Sequence, residues 1–390
     1  MKRIGVLCYD LQGFTIDCLN RIQDSIHLRL KAYPLLNRVD SGKKSFEYRT
    51  TESNGKFFSV KRTGVVPEGF PLNIDIPLAW SCVIENEVVI LFGLQGATAI
   101  VTAILARLMG RSLISVNQTM APEWEVRRSW WVKTLKSFLL SLCHQHIYQT
   151  AITKETLEVI YGLNPIAFHY APFEAGASFF EGILKKEKSK KHNSEKSVNF
   201  LFVGTLLKFK GLLDLIRACQ RLKQEKYKFD LRILGPEPKQ KDELTINDYQ
   251  KIIREKELND FIVMVGPCVI SDLPKQYYWS DVLVLPTYRD MWPKVLVEAA
   301  LCERPSITTS ACGASGELVI NNKTGWVINP GDVDQLVNAM KFVIKNKTLI
   351  KKYGKSARKN CLKLCNPKKE VKGYIEAIDA VVDLKSDIKS

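Results

Sequence analysis

The chain of 390 residues has no C-x-x-C pair, no apolar run near the length of a membrane span, and only five histidines. Each absence removes a class of chemistry. The ten cysteines are scattered, and several, including Cys8, Cys82 and Cys143, sit inside apolar runs. A disulfide framework or a zinc–thiolate site needs paired spacings, so these read as buried reduced thiols of a cytosolic protein. His144 and His146 alternate near a helix end with no third ligand at metal spacing, and read as structural. Without ~20 consecutive apolar residues no segment spans a bilayer. The apolar start Ile4 to Tyr9 is too short for a secretion signal and reads as a first strand. Acidic residues are also in short supply: 41 Asp and Glu face 57 Lys and Arg, a formal charge of +16. Such an excess favours an anionic partner, whether a nucleotide diphosphate, an anionic membrane surface or a nucleic acid, without choosing among them.

What is present is an alternation of apolar strands and helical segments, twice over. The length exceeds one ordinary core and suits two domains. In the first half, strands are expected at Ile4 to Tyr9, Val88 to Phe92, Ser112 to Val116, Ile147 to Ala151 and Ala167 to Tyr170. A helix is expected from Thr98 to Met109, stopped by Gly110. The stretch from Leu36 to Pro77 is polar and has no clear assignment. A run without apolar residues from Lys185 to Lys196 reads as a solvated linker. The second half restarts with strands at Val198 to Val203, Phe229 to Leu234, Phe261 to Val265, Asp281 to Leu285 and Ser306 to Thr309, with a helix from Pro293 to Cys302. Asn366-Pro367 opens a last helix, Asn as cap and Pro at the first helical position. The expected class is α/β, two Rossmann-like doubly wound domains in tandem. The boundaries are 1–184, a charged linker 185–197, 198–365, and a C-terminal helix in 366–390.

The strongest local signal runs from Leu285 to Ala300: a strand ending at Pro286, a loop holding Asp290, and a helix starting near Pro293 that carries Glu298. In open α/β sheets ligands bind beyond the carboxyl ends of strands, and a helix start offers free N–H groups to an anion. Asp290 and Glu298, eight positions apart, can grip two parts of one ligand. A lone pair at this spacing is weak, its plain alternative being a capping Asp and a solvated Glu.

With its neighbours it resembles the retaining GT-B glycosyltransferases of family 4 (glycosyl transferases group 1), whose signature is an acid, seven residues, then Glu. Here it stands as Asp290-x7-Glu298 with Trp292-Pro293 inside. Gly204-Thr205 and Lys210-Gly211 resemble the opening of the family's C-terminal domain. Leu234-Gly235-Pro236, Val265-Gly266, Gly313 to Leu318, Thr324-Gly325-Trp326 and Pro330-Gly331-Asp332 follow in family order. The resemblance covers about residues 198 to 365 well and the first half in outline. It implies a GT-B architecture with the two domains facing a cleft, the last helix crossing back to the first domain, and a nucleotide-sugar donor. Glu298 is expected on the ribose hydroxyls, Asp290 on the transferred sugar, and Lys210 on the diphosphate. Gly204, Thr205, Gly235, Trp292, Lys294 and Val295 complete the donor contacts. Asp290 and Lys210 are the expected catalytic pair, and no metal or other cofactor is expected. The implied acceptor is a glycan or lipid-linked glycan of surface polysaccharide synthesis. The implied place is the cytoplasm or the inner face of its membrane. Three departures stand out: Thr205 where the family usually has Arg, with Lys208 as a substitute charge; Met291 for a small residue; and Glu303 for Gly.

Several segments keep two readings. Gly93-Leu94-Gln95-Gly96 borders the cleft or is a plain strand-to-helix turn. Glu317 contacts the ligand or favours a helix start. The helix from Ser129 carries Trp131, Leu135, Phe138 and Leu142 on one face, with Arg127, Arg128, Lys133 and Lys136 around it. It is either an interfacial helix on an anionic bilayer or an ordinary helix packed on the sheet. Rival functions are a catalytically silent GT-B protein that binds nucleotide-sugar or acts as a scaffold, and a sugar-nucleotide epimerase. Nucleic acid fits poorly: there is no recognised module, and the lysines cluster in the linker and C-terminal region rather than beside aromatics.

Overall fold

The structure is a computed structural model. It describes residues 3–8, 13–25, 29–34, 59–60, 75–93, 96–118, 129–186, 197–238 and 242–387. Two compact units divide the chain: Met1–Phe173 with Asn366–Ser390, and Glu174–Cys365.

The first unit contains β1 (Arg3–Cys8), α1 (Gly13–Ser25), β2 (Arg29–Pro34), β3 (Ser59–Val60), α2 (Ile76–Ile84) and β4 (Val88–Phe92). There follow α3 (Ala97–Leu108), β5 (Ser112–Asn117), α4 (Trp130–Ser141), β6 (Gln145–Tyr148), α5 (Ala151–Glu155) and β7 (Phe168–Tyr170). The seven strands lie in the order β3-β2-β1-β4-β5-β6-β7, all parallel. A parallel sheet is covered on both faces, and β4 shows why its sequence is apolar throughout. Val88 and Ile90 enter one core, with Leu19 and Ile22 of α1. Val89 and Leu91 enter the other, with Leu78 of α2, Ala103 of α3 and Leu139 of α4.

The second unit contains α6 (Ala177–Lys186), β8 (Val198–Val203), α7 (Leu212–Gln224), β9 (Phe229–Leu234), α8 (Ile246–Glu255), β10 (Ile262–Gly266), α9 (Leu273–Trp279) and β11 (Val282–Leu285). It continues with α10 (Lys294–Leu301), β12 (Ser306–Thr309), β13 (Gly325–Ile328), α11 (Val333–Lys345) and α12 (Lys347–Leu364). Its six parallel strands run β10-β9-β8-β11-β12-β13. The order reverses between β8 and β11, which pair directly. The last helix, α13 (Pro367–Asp387), belongs to the first unit. Val371, Tyr374, Ala377, Ile378 and Val381 enter the core beside Ile90 and Ile147, and the Tyr374 ring stacks on Phe92 at 6.0 Å.

Several expectations need correction. The strand expected at Ile147 to Ala151 ends at Tyr148, because the Thr150 hydroxyl accepts the Thr153 N–H and caps α5. The unassigned stretch ends in α2, which starts at Ile76 under the Asp75 cap with Pro77 in its first turn. Its earlier residues lie mostly outside the described ones. The first domain ends at Phe173 rather than 184. Helix α6 joins the second unit, its Phe180 ring meeting Tyr277 edge-on at 6.0 Å and Glu181 pairing with Arg358 at 2.7 Å. It also takes Lys185 and Lys186 out of the expected linker, whose residues 187–196 lie outside the described ones. Helix α10 begins at Lys294 and not Pro293, which stays extended at ψ 121° as the cap.

Candidate functional site

At the point of reversal the loops after β8 and β11 emerge side by side, the place where doubly wound sheets bind ligands. Three glycines let backbones touch there. A Cβ on Gly235 would lie 1.8 Å from the Gly204 carbonyl oxygen; on Gly211, 2.0 Å from that of Pro286; on Gly313, 2.0 Å from that of Met291. Hydrogen bonds fix the approach. The Tyr288 N–H donates to the Phe209 carbonyl at 2.7 Å, and the Gly313 N–H to the Asp290 carbonyl at 2.8 Å. The Tyr288 hydroxyl donates to the Asp214 carboxylate at 2.5 Å, tying the β11 loop to the first turn of α7.

This framework brings Lys210 and Asp290 into a direct ion pair. Both side chains are under one-fifth exposed, 18% and 15%, so the pair is poorly screened. The Phe209 ring carries two cations, with the Lys210 ammonium at 5.3 Å and the exposed Arg289 guanidinium at 5.0 Å from its centroid. Lys210 and Asp290 cancel, so the surplus positive charge of this cluster comes from Arg289.

Helix α10 then starts with the unbonded N–H groups and positive dipole end common to helix N-termini. One turn in, Glu298 accepts the Tyr277 hydroxyl at 2.7 Å on Oε2. Its Oε1 makes no hydrogen bond to a described residue. Burial raises the Glu298 pKa above the ordinary carboxylate value, opposed by the Tyr277 hydrogen bond and by Lys294 one turn earlier. The Tyr277 phenol is pushed well up, first by burial and then by Glu298. The Val295 carbonyl lies 3.4 Å from the same hydroxyl. The buried Trp292 indole N–H has no partner among the described residues.

The expected residues thus fall into sets: Lys210 with Asp290, Gly204 with Gly235, and Glu298 with Lys294 and Val295 at the head of α10. The Thr205 side chain makes no bond to a described residue. The Lys208 ammonium donates to the Asp242 carbonyl and its N–H to Glu243 at 2.6 Å. Glu317 heads no helix, since 316–318 form a turn. The triplet Asp332-Val333-Asp334 serves α11, with Asp332 capping the Gln335 N–H at 2.8 Å and Asp334 pairing with Arg221. His144 and His146 hold strands together: the Leu113 N–H donates to His144 at 3.0 Å, and Ser115 meets His146 at 2.7 Å. Among the described residues, no three His, Cys, Asp or Glu gather as a metal site. Leu94 and Gln95 lie outside the described residues. Sequence reasoning missed Arg289, Asp214 and Tyr277. Arg289 adjoins Asp290 and was there to be weighed, whereas the other two act through non-local contacts.

Residues 185–360 match the family model described as glycosyl transferases group 1. The capsular polysaccharide biosynthesis glycosyltransferase CapM of Staphylococcus aureus is 27% identical over 158 residues, 40% of this chain and 40% of that protein. The chain thus spans about two-fifths of the length of the curated relatives it matches. Among solved structures, sucrose-phosphate synthase from Thermosynechococcus elongatus superposes with a TM-score of 0.71 at 14% identity, covering 98% of this chain and 100% of that one. Anabaena Alr3699/HepE, solved in complex with UDP, gives 0.69 at 16% identity, with 97% and 100% covered. These likenesses fix the fold as α/β, two Rossmann-like domains of the GT-B kind.

Proposed function

We propose that the protein is a retaining glycosyltransferase that moves a sugar from a nucleotide-sugar to a glycan or lipid-linked glycan acceptor, in surface polysaccharide synthesis. The observation that carries this reading is the Lys210–Asp290 pair held at the reversal of strand order, beside the head of α10 and Glu298. Glu298 has one oxygen left for a ribose hydroxyl. The diphosphate sits against the first turn of α10, Lys210 and Arg289, with Arg289 supplying the charge that Thr205 does not. In the reaction the bond from the anomeric carbon to the diphosphate breaks and one to the acceptor oxygen forms on the same face. The acceptor proton passes to the leaving phosphate. Charge building on that phosphate is met by fixed donors, the largest source of such catalysis. Asp290 orients the sugar once Lys210 has turned to phosphate. The similarity to CapM and the UDP complex of HepE support a nucleotide-sugar donor and a glycan acceptor.

A catalytically silent nucleotide-sugar-binding protein is the second reading, favoured by the uncharged Thr205 and by the closed Lys210–Asp290 pair. Calorimetry against UDP, GDP, ADP and their sugars separates the outcomes. One diphosphate should bind. Glu298→Ala should weaken it about tenfold to a hundredfold, the worth of a hydrogen bond to a charged group. Arg289→Ala should weaken the diphosphate far more than its nucleoside. Binding with no transfer to any acceptor favours the second reading, and no binding at all sinks both.

A further inference from the structure

Three neighbouring helices of the first unit turn large apolar side chains outward. On α2 these are Ile76, Trp80 and Ile84, spaced four apart; on α3, Ile104 and Leu108; on α4, Trp130, Trp131, Leu135 and Phe138. Leu108 is 79% exposed and Trp130 75%. The three helices pack on the same face of the sheet, into one core. Helix α2 lies along α3; α3 and α4 are the successive crossovers from β4 to β5 and β5 to β6, which places them side by side. The outward residues of α2 and α3 therefore belong to one surface, and those of α4 lie on the same side of the sheet. Helix α4 packs on the sheet through Leu139, Leu140 and Leu142 and leaves Trp131, Leu135 and Phe138 of its apolar stripe exposed. Soluble proteins seldom show so many large apolar groups together without a partner.

The charges say what the partner is. None of the three helices contains an Asp or Glu, although the chain has 41. Their only charged residues are Arg107, Lys133 and Lys136. The acids at the two ends of α2 are engaged: Asp75 caps Leu78, and Glu85 pairs with Lys31. Tryptophans and aliphatics amid basic groups, with no acid among them, fit the interface of an anionic bilayer. A basic protein surface would find no counter-charge here, and a second copy would bring cation against cation. We propose that the outward faces of α2, α3 and α4 together form a docking surface for an anionic lipid membrane.

The test is co-sedimentation of the full chain with phosphatidylcholine vesicles, with and without phosphatidylglycerol. Binding should be at least tenfold stronger to the anionic vesicles and should weaken as salt is raised. Trp131→Glu with Phe138→Glu should cut it at least tenfold, and so should Trp80→Glu with Leu108→Glu. Both variants should keep the wild-type melting temperature, which separates a lost surface from a lost fold. Three results would overturn the proposal: no preference for anionic vesicles, wild-type binding by the α2–α3 variant, or a dimer in solution that the substitutions dissociate. Vesicle binding is read without nucleotide, so failure of the proposed transferase activity leaves this test standing.

Discussion

Glu298 is asked to do two things that conflict. Its burial favours the neutral acid, while a ribose hydroxyl is best bound by the carboxylate. The raised pKa means that it takes up a proton at a higher pH than an ordinary glutamate. Nucleotide affinity should therefore be flat at neutral pH and fall on acidification, beginning above the usual carboxylate range. The sign for stability is opposite. A group whose pKa is raised on folding stabilises the fold most when protonated, and that contribution is lost as pH rises through the folded pKa. Glu298→Gln should thus melt higher than wild type at pH 7 and alike at pH 4. It should bind nucleotide about tenfold more weakly, with no pH dependence in the acid range. A wild-type binding profile that stays level to pH 4 would remove Glu298 from the site. Glu303 shows a different kind of conflict. It follows α10 in the left-handed region at φ 58°, where glycine is the easy choice, so this departure from the pattern the sequence resembles falls on a helix stop.

At the scale of elements, the site is made by loops that nearly touch. Gly313 has ordinary backbone angles, and its Cβ would strike the Met291 carbonyl oxygen at 2.0 Å. Gly313→Ala should therefore push the Asp290 loop away from the 311–313 turn. A loss of about 2 kcal/mol in stability is expected for such overpacking, together with weaker nucleotide binding by calorimetry. Unchanged binding with a lowered melting temperature would mean that this contact serves the fold alone. The glycines themselves were visible in the sequence, but their partners were not, because each meets a backbone far along the chain. The inner strands were legible for a local reason, since buried parallel strands such as β4 and β11 are apolar at every position, whereas β2, β3 and β13, toward the sheet edges, were not expected. The start of α10 was legible to within one residue through Pro293. Helix α2 was hidden behind a polar stretch, and the end of β6 behind the polar Gln149 and Thr150. The apolar stripe of α4 was readable by period, but periodicity alone cannot say whether a stripe faces a core or the outside. Arg289 was obscured by Asp290 beside it, since only the Phe209 ring shows which way the guanidinium turns.

At the scale of the whole chain, the two units are not simply sequential: the first is completed by residues from the far end of the sequence. Helix α13 lies against β5, β6, β7 and α1. Its Tyr374, Ala377, Ile378 and Val381 are at most 1% exposed, and Arg21 reaches Glu370 at 3.7 Å. Each large buried apolar side chain is worth about 1.5–3 kcal/mol, so the helix contributes on the order of 5 kcal/mol or more, comparable with the whole stability of a domain. Ending the chain at Cys365 should unfold the first unit and spare the second, whose core contains none of these residues. In hydrogen exchange, β4, β5 and β6 should lose protection while β8 and β11 keep theirs. The nucleotide-binding residues proposed above all lie in the second unit, so the shortened chain should still bind nucleotide and no longer transfer sugar. Loss of protection in both sheets together would mean that the units fold as one, and loss of binding with the second sheet intact would require a nucleotide contact from the first.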